Sequence, residues 1–359
     1  MTAGLVHRQV DAAAEVGVRN SQPEGIGRVV VLADLVCWNN LGRNVVFADR
    51  RLRPHAVFGT TVFPEEDEPS QYDLDVHAIL ELSESGMILV LNHFGTLRGF
   101  LRSDIGRRAG GSPIEPASLW SFVGYMVRTV AVAGRLVGSA PRCDGALGLL
   151  VSAPLEDVPN GGALPTRSCA TEFGEVTAVG VVPSDDGPLI ALGGEAAVAL
   201  VPLVGEDVGP SRWEAEVEFR VATLAWHDGA LWAAGPDGAE AVDDYDWEAL
   251  RGGGFAVLSP SDGRTMTCGR MPADIAWGTG GVAVAPFGRG LVAAGRTGCL
   301  HVVDAHDARG PEPRSTPALA NASLGIAHLA VAGPNVVCGF NRGGYRLHSF
   351  TQSSAAPNR

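Results

Sequence analysis

One stretch of the chain gathers side chains that commonly bind divalent cations. The segment from Pro64 to Asp75 is rich in carboxylates, and two histidines follow it: Glu65, Glu66, Asp67, Glu68, Asp73, Asp75, His77 and His93. Carboxylate oxygens suit Ca²⁺ and Mg²⁺, and imidazole suits transition metals. Asp73, Asp75, His77 and His93 are therefore the candidate metal ligands. The alternative is a solvated connection, because charge runs usually face water and the segment lacks the spacing of a calcium-binding loop.

A wider set of histidines offers a second candidate for chemistry. These histidines fall within or close to strand-like segments: His77, His93, His301, His306 and His328. Three imidazoles that converge with a carboxylate would form a transition-metal or lyase site. The alternative is a structural role, in which each ring bonds to neighbouring backbone.

Three groups of polar and aromatic residues fall in or near turns between strands. They are Trp38 with Asn39 and Asn40, Asn92 with His93, and Asn341 with Arg342. Turns of this kind can display groups that contact a ligand. Asparagine is also favoured in turns because it tolerates positive φ, so each residue has a structural explanation as well.

A long insert with two aromatic residues indicates a surface for a protein partner. The insert AVDDYDWEALRGGG runs from Ala241 to Gly254 and contains Tyr245 and Trp247. Aromatic side chains are common anchors at interface hot spots. We therefore predict that Tyr245, Trp247 and Trp38 contact a partner. In the alternative, these aromatics pack on their own sheet.

The common catalytic motifs are absent from the sequence. It contains no G-x-S-x-G nucleophile elbow, no H-E-x-x-H zinc motif and no P-loop. This absence favours a binding protein without a cofactor over an enzyme. A metal-dependent hydrolase or a lyase remains the alternative, because scattered Asp, Asn and His side chains could still meet at one place.

Charge and composition narrow the possible partners and compartments. The net charge is −13 and no basic stripe interrupts it, which excludes an ordinary nucleic-acid binder. No apolar run is long enough to span a bilayer, and the N-terminal segment lacks the apolar core of a signal peptide.

The six cysteines stand alone in separate segments: Cys37, Cys143, Cys169, Cys268, Cys299 and Cys338. We expect them to be reduced and mostly buried in a cytoplasmic protein.

A repeated block of strand, turn and strand organises the whole chain. Copies begin at Val29, Val76, Val127, Val176, Val221, Val282 and Ile326. The intervals between these starts are nearly even, and the longest one contains the insert with Tyr245 and Trp247. Repeats of about 40 to 50 residues are typical of propeller blades. Two β-sandwich domains would also give many strands, but they do not predict an even repeat along the chain.

The sequence therefore predicts an all-β, seven-bladed β-propeller of four-stranded antiparallel blades. Residues 26–352 form the propeller, and residues 353–359 form a polar C-terminal tail. The last copy has room for only three strands. Residues 1–25 should supply its missing outer strand, around Val16 to Arg19, and so close the ring.

Several residues of the repeat resemble those of WD40 and YVTN-like β-propellers. The segment from Gly298 to Asp307 is similar to the end of a WD repeat, with Val303 and Asp304 where Trp-Asp stands in that family. His77 and His328 lie near strand starts, as the histidine of a Gly-His pair does. The resemblance covers nearly the whole chain and implies a propeller scaffold that binds a partner protein through one face.

Overall fold

The computed structural model describes most of the chain. It covers residues 5–11, 26–40, 44–59, 76–82, 84–92, 95–122, 126–141, 147–171, 174–237, 252–275, 277, 284–295, 300–304, 314–315, 326–332, 335–340 and 345–352. Within these residues almost all regular structure is β-strand. One short α-helix spans Arg102–Gly106 and one 3-10 helix spans Leu155–Asp157. Neither of these helices is long and apolar enough to cross a membrane.

The strands of the first half of the chain are short and separated by turns. In chain order they are β1 (Leu5–Asp11), β2 (Ile26–Leu32), β3 (Leu35–Asn40), β4 (Asn44–Asp49), β5 (Pro54–Gly59), β6 (Val76–Leu82), β7 (Met87–Asn92), β8 (Thr96–Leu101), β9 (Ser112–Pro113), β10 (Ser118–Phe122), β11 (Val127–Val132), β12 (Arg135–Pro141), β13 (Leu147–Ser152), β14 (Ala163–Leu164) and β15 (Thr166–Cys169).

The second half of the chain follows the same pattern. Its strands are β16 (Ala178–Val182), β17 (Leu189–Gly193), β18 (Ala197–Val204), β19 (Asp207–Val208), β20 (Trp213–Glu216), β21 (Thr223–His227), β22 (Ala230–Gly235), β23 (Gly254–Leu258), β24 (Thr265–Arg270), β25 (Val284–Phe287), β26 (Gly290–Ala294), β27 (Leu300–Asp304), β28 (Arg314–Ser315), β29 (Ile326–Ala332), β30 (Asn335–Phe340) and β31 (Tyr345–Gln352).

The described strands form seven sheets, which we number I to VII in chain order. Sheet I is β2-β3-β4-β5-β9, sheet II is β6-β7-β8-β10-β14, and sheet III is β11-β12-β13-β15. Sheet IV is β16-β17-β18-β20 with β19 also on β18, sheet V is β21 to β24, sheet VI is β25 to β28, and sheet VII is β29-β30-β31-β1. Consecutive strands pair antiparallel within each sheet, as the repeated strand-turn pattern predicts.

Successive sheets are arranged as a β-propeller around their first strands. The first strand of each sheet contacts the first strand of the next, from β2 through β6, β11, β16 and β21 to β25. β25 contacts β29, and β29 contacts β2. The predicted repeat starts fall at or close to the beginnings of the observed first strands, because each start marks the apolar strand nearest the axis.

Apolar side chains are buried between neighbouring sheets. One core cluster packs Phe47 of sheet I against Phe100 of sheet II, with ring centroids 5.2 Å apart. A second joins sheet VII to sheet I through Val337 and Trp38. Equivalent clusters lie between the other neighbouring pairs of sheets. Because each sheet has an apolar layer on both faces, no sheet could bury its core alone.

The number of strands differs among the sheets, from four to five, and this corrects the expectation of uniform four-stranded blades. The short strand β9 pairs parallel with the outer strand of sheet I, and β14 pairs parallel with the outer strand of sheet II. Each lies in a connection of the following sheet. β9 lies between β8 and β10 of sheet II, and β14 lies between β13 and β15 of sheet III. These short strands cover an outer edge that would otherwise be open to pairing.

The N-terminal segment supplies an outer strand, but at a different position from the expected one. β1 pairs antiparallel with β31, from Leu5 opposite Gln352 to Asp11 opposite Arg346. The strand therefore lies at residues 5–11, whereas residues 16–19, predicted for this role, lie outside the described part of the chain. The shift is possible because pairing with an edge strand depends on backbone groups more than on a particular apolar motif.

The four described cysteines are free thiols. Cys37, Cys169 and Cys338 are buried and Cys268 is exposed, while Cys143 and Cys299 lie outside the described residues. Burial raises the pKa of the Cys37 and Cys338 thiols. Burial, together with the nearby Asp207 carboxylate, raises the pKa of Cys169 to about 11.

Removal of residues 1–11 should destabilise the protein, because β31 would lose its partner along the whole length of β1. Each lost hydrogen bond is worth roughly 0.5–1.5 kcal/mol net, so we expect the melting temperature to fall by about 5 °C or more. Differential scanning calorimetry measures the change, and removal of residues 353–359 is the control. Equal melting of the two truncated proteins would contradict the role of β1.

Alkylation of the native protein at pH 8 should modify Cys268 and spare Cys37, Cys169 and Cys338. The reactive species is the thiolate, which burial suppresses at the three protected positions. Peptide mapping by mass spectrometry, with and without denaturant, measures the pattern. Native modification of Cys169 as fast as that of Cys268 would show that the predicted protection is wrong.

Candidate functional site

The functional candidates lie at one end of the sheets, which we call the mouth face. It is the end at which the first strand of each sheet begins and the second strand ends. Asn39 and Asn40 end β3, and Asn92 ends β7. The predicted Asn341 and Arg342 follow β30 directly, outside the described residues. The structure therefore brings Asn39, Asn40 and Asn92 to the same face.

Buried polar side chains lie beneath the mouth face in three consecutive sheets. Asn39 and Ser139 are fully buried and Asn92 is 4% exposed. Asn39 pairs with Arg28, Asn92 with Val76, and Ser139 with Val127, so each stands beside the start of a first strand. Each of the three has an interaction partner. Buried polar groups that are satisfied in this way fix local geometry.

An acidic groove opens on the mouth face of sheet IV. It encloses about 480 Å³, and its lining residues are Gly174, Glu175, Gly194, Glu195, Ala196, Ala197, Glu214, Glu216 and Val217. Glu195, Glu214 and Glu216 are exposed. One guanidinium reaches this group, with Nη2 of Arg220 3.5 Å from Oε1 of Glu175. The groove is therefore strongly negative and has small side chains or glycine along much of its wall.

The longest connection between second and third strands begins beside Arg220, whose side chain pairs with a groove glutamate. In sheet V it covers residues 236–253, between Gly235 of β22 and Gly254 of β23. In the other sheets the same connection is far shorter, as at residues 41–43 in sheet I and 194–196 in sheet IV. The backbone N–H of Arg220 donates to the carbonyl oxygen of Pro236 at 3.1 Å. Arg220 thus joins the groove to the base of the long connection.

Hydrogen bonds and ion pairs fasten neighbouring sheets to each other. Arg102 of sheet II pairs with Asp34 of sheet I and with Glu81 of its own sheet. Nε2 of His227 in sheet V lies 2.9 Å from the carbonyl oxygen of Gly288 in sheet VI. These contacts lie at the end opposite the mouth face. They hold the sheets together there, so that end has a structural role.

Tryptophans on two outer strands make a further link to the next sheet. Nε1 of Trp120 in β10 donates to the carbonyl oxygen of Val158 at 3.2 Å. Nε1 of Trp213 in β20 donates to the carbonyl oxygen of Pro260 at 2.9 Å. In both cases the acceptor lies between the third and outer strands of the following sheet. The same hydrogen bond from a tryptophan to the following sheet is therefore repeated in sheets II and IV.

Trp38 is not placed where a partner could reach it, and this corrects its predicted contact role. Its side chain is 1% exposed and packs with Val46, Leu52 and Val337 between sheets I and VII. The position is explained by strand alternation, because Trp38 shares a face of β3 with the buried Val36. Tyr245 and Trp247 fall in the long connection, outside the described residues.

The candidate metal ligands are only partly described. Asp73, Asp75 and His93 lie outside the described residues, and His77 is the second residue of β6. Val76 pairs with Asn92, so the backbone of His77 lies at the mouth end of sheet II. Among the side chains that the structure describes, no group of three or more His, Cys, Asp or Glu residues could hold a metal ion.

The groove glutamates are the functional candidates that sequence reasoning missed. The signal was present in the segment WEAEVEF, where Glu214, Glu216 and Glu218 alternate with Trp213 and Val217. Such alternation predicts a strand with one charged, solvated face. It could not show that Glu175 and Glu195, distant in sequence, would lie beside that face.

Comparison with known proteins supports the fold and gives no family. No family model matches the chain, and no curated protein matches it. Among solved structures, the chain is similar to the crystal structure of the computationally designed Ika8 protein. The TM-score is 0.53 at 12% identity, over 91% of this chain and 96% of that one. At this identity the likeness concerns the fold alone, so the WD40 resemblance stays a prediction.

Replacement of Trp38 by Ala should lower the free energy of unfolding by about 3–5 kcal/mol, because it empties a packed site between sheets I and VII. Equilibrium unfolding in urea measures the change. Leu119→Ala is the control, since Leu119 is 42% exposed and its truncation should change stability by no more than about 0.5 kcal/mol. Equal stability of the two variants would mean that Trp38 is not part of the core.

Proposed function

We propose that this protein is a cytoplasmic, WD40-like propeller of seven blades that binds a partner protein and does no chemistry. Each of the seven sheets is one blade, and β1 closes the ring in sheet VII. The partner docks on the mouth face of sheets IV and V and presents a basic segment to the acidic groove. No cofactor, nucleic acid or membrane takes part. We propose the cytoplasm because the six cysteines stand alone in separate segments of the sequence, as reduced thiols do.

The observation that carries this proposal is the length of one connection. It covers residues 236–253 between β22 and β23, whereas the equivalent connections in sheets III and VI cover only residues 142–146 and 295–299. Loops of more than about 12–15 residues are uncommon in compact domains and are usually functional. This connection contains Tyr245 and Trp247, whose side-chain types are enriched at interface hot spots.

The groove supplies the chemistry that would select the partner. Glu195, Glu214 and Glu216 are exposed, and among the described residues the cation paired with the groove is that of Arg220, on Glu175. A basic segment would complement these charges and would also be steered toward a protein of net charge −13. The aromatic connection and the groove are joined through Arg220, so one partner could contact both.

Affinity capture from the native host tests the proposal with three matched variants. Tyr245→Ala with Trp247→Ala removes the aromatic anchors, and Glu214→Gln with Glu216→Gln neutralises the groove. Glu156→Gln with Asp157→Asn is the control, because it removes two exposed charges at the opposite end of sheet III. A specific partner should lose roughly 100-fold in affinity with the first variant and at least about 10-fold with the second.

The control variant should retain the partner at native affinity. Capture of the same proteins by all three variants would contradict the proposed surface. Circular dichroism and melting curves accompany each variant, so that loss of binding is separated from loss of folding.

The second candidate is a metal-dependent hydrolase or a lyase, with its site at the mouth of the central channel that the first strands would surround. The pairing of Val76 with Asn92 favours it, because Asp73, Asp75, His77 and His93 flank this pair along the chain. Metal analysis of the purified protein separates the two functions. A stoichiometric divalent metal that is lost in His77→Ala with His93→Ala would replace the scaffold proposal by the enzyme.

A further inference from the structure

The outer strand of sheet IV leaves part of its backbone edge unpaired. This strand, β20, lies at the edge of the sheet and pairs with β18. In an antiparallel pair, successive residues bond alternately toward the partner strand and away from it. The N–H of Val217 donates to the carbonyl oxygen of Ala196, which sets the alternation for β20. Ala215 therefore bonds toward β18, and the N–H and C=O groups of Glu214 and Glu216 point outward.

These outward groups remain open to another polypeptide segment. Among the described residues, no backbone hydrogen bond reaches the outer side of Glu214 or Glu216. Both residues are exposed. Unpaired N–H and C=O groups along a sheet edge allow an extended segment to add as a further strand.

Sheets I and II show how equivalent edges are covered in this protein. Their outer strands β5 and β10 pair with the short strands β9 and β14, which lie in the connections 102–117 and 153–165 of the following sheets. The equivalent connection after sheet IV covers only residues 259–264. It reaches the start of β20, where Nε1 of Trp213 donates to the carbonyl oxygen of Pro260. In the described part of the chain, the mouth end of β20 therefore lacks the cover that sheets I and II have.

The side chains of this edge alternate between an apolar and an acidic side. Trp213, Ala215 and Val217 pack in the cluster between sheets IV and V. Glu214 and Glu216 alternate with them and line the acidic groove. Side chains directly opposite each other on neighbouring strands share a face of the sheet. An added strand would therefore place two side chains, separated by one residue, opposite the glutamates, and the side chain between them on the apolar side.

Charge determines which strand fits this edge. Like charges directly opposite each other destabilise a strand pair, and opposite charges stabilise it. A second copy of β20 would place glutamate opposite glutamate, so the edge resists self-association. Arginine or lysine at the two positions would instead pair with Glu214 and Glu216. Glu195, which is exposed in the same groove, adds to the attraction for a basic segment.

We propose that the edge of β20 binds an extended segment of the partner as an added strand, with the side-chain pattern basic, apolar, basic. The inference rests on the proposed partner-binding function and specifies how the basic segment of the partner binds. Backbone hydrogen bonds to Glu214 and Glu216 supply affinity, and the alternate basic side chains supply specificity.

Titration calorimetry of the full chain with two capped peptides of equal composition tests the proposal. The alternating peptide is Thr-Val-Arg-Val-Arg-Val-Thr, and the adjacent peptide is Thr-Val-Val-Arg-Arg-Val-Thr. We expect the alternating peptide to bind with a Kd below about 1 mM. The adjacent peptide should bind at least about 5-fold more weakly, because neighbouring side chains of a strand point to opposite faces. Equal affinity, or no binding of the alternating peptide, would overturn the proposal.

Backbone methylation of the alternating peptide tests the hydrogen bonds directly. An N-methyl group removes a donor and leaves the charge unchanged. Alternate N–H groups of an added strand face β20, so methylation of both arginines and methylation of the two valines that follow them should differ in effect. One pattern should weaken binding at least about 10-fold and the other should weaken it little. Sensitivity at the arginines would assign an antiparallel strand, and sensitivity at the valines a parallel one. No loss with either pattern, or equal loss with both, would contradict strand addition.

Two matched protein variants test the contribution of the glutamates. Glu214→Gln with Glu216→Gln should weaken binding of the alternating peptide at least about 5-fold, because both cross-strand charge pairs are lost. Asp185→Asn with Asp186→Asn is the control, because it removes two exposed carboxylates from the opposite end of the same sheet. The control should bind the peptide with unchanged affinity. Unchanged affinity of the glutamate variant, or an equal loss in the control, would show that the edge of β20 is not the site.

The peptide measurements need no cellular partner and leave Tyr245 and Trp247 unchanged. Capture of a specific partner without the predicted peptide binding would remove the added strand and leave the scaffold function. Peptide binding with the predicted pattern, without capture of a partner, would support the edge and count against the scaffold function. Failure of the strand-addition proposal and failure of the partner-binding proposal are therefore distinguishable.

Discussion

The burial of an apolar layer between every pair of neighbouring sheets is the interaction on which this structure depends. All residues of β22 are buried, and its side chains alternate between the cluster shared with sheet IV and the cluster shared with sheet VI. A sheet that is apolar on both faces has no stable existence alone, so neighbours must cover both. Ring closure follows, because a terminal sheet would otherwise expose a complete apolar face.

This constraint determines where function can be placed. Neighbouring sheets cover both faces of each sheet. Only the outer edges and the two ends of the sheets therefore remain for contacts with other molecules. Sheets I and II cover their outer edges with β9 and β14. The end opposite the mouth face is occupied by links such as the one from Arg102 to Asp34. The mouth face therefore remains as the place for variable connections.

The mouth face carries a local concentration of negative charge. The groove of sheet IV is lined by Glu175, Glu195, Glu214 and Glu216, and the guanidinium of Arg220 pairs with Glu175. Exposed charges are screened from each other beyond about 8 Å at physiological ionic strength, so the groove acts on a bound segment at short range.

The sequence by itself determined the β-rich class, the repeat and the positions of the first strands, because alternation and turn residues are local properties that survive in any tertiary context. It also indicated an added N-terminal strand, since the last repeat lacked one. It did not determine the residues of that strand, because β1 is selected by backbone pairing with β31, which lies at the other end of the chain.

Tertiary structure decided the sites. Tryptophan is a residue type that is common at interfaces, but packing between sheets I and VII places Trp38 in the core. Glu175 and Glu195 become neighbours of Glu214 only when β17, β18 and β20 pair. Only ring closure brings β29 of sheet VII beside β2 of sheet I, from the opposite end of the chain. Long-range proximity of this kind arises from the burial of apolar surface, which no local pattern encodes.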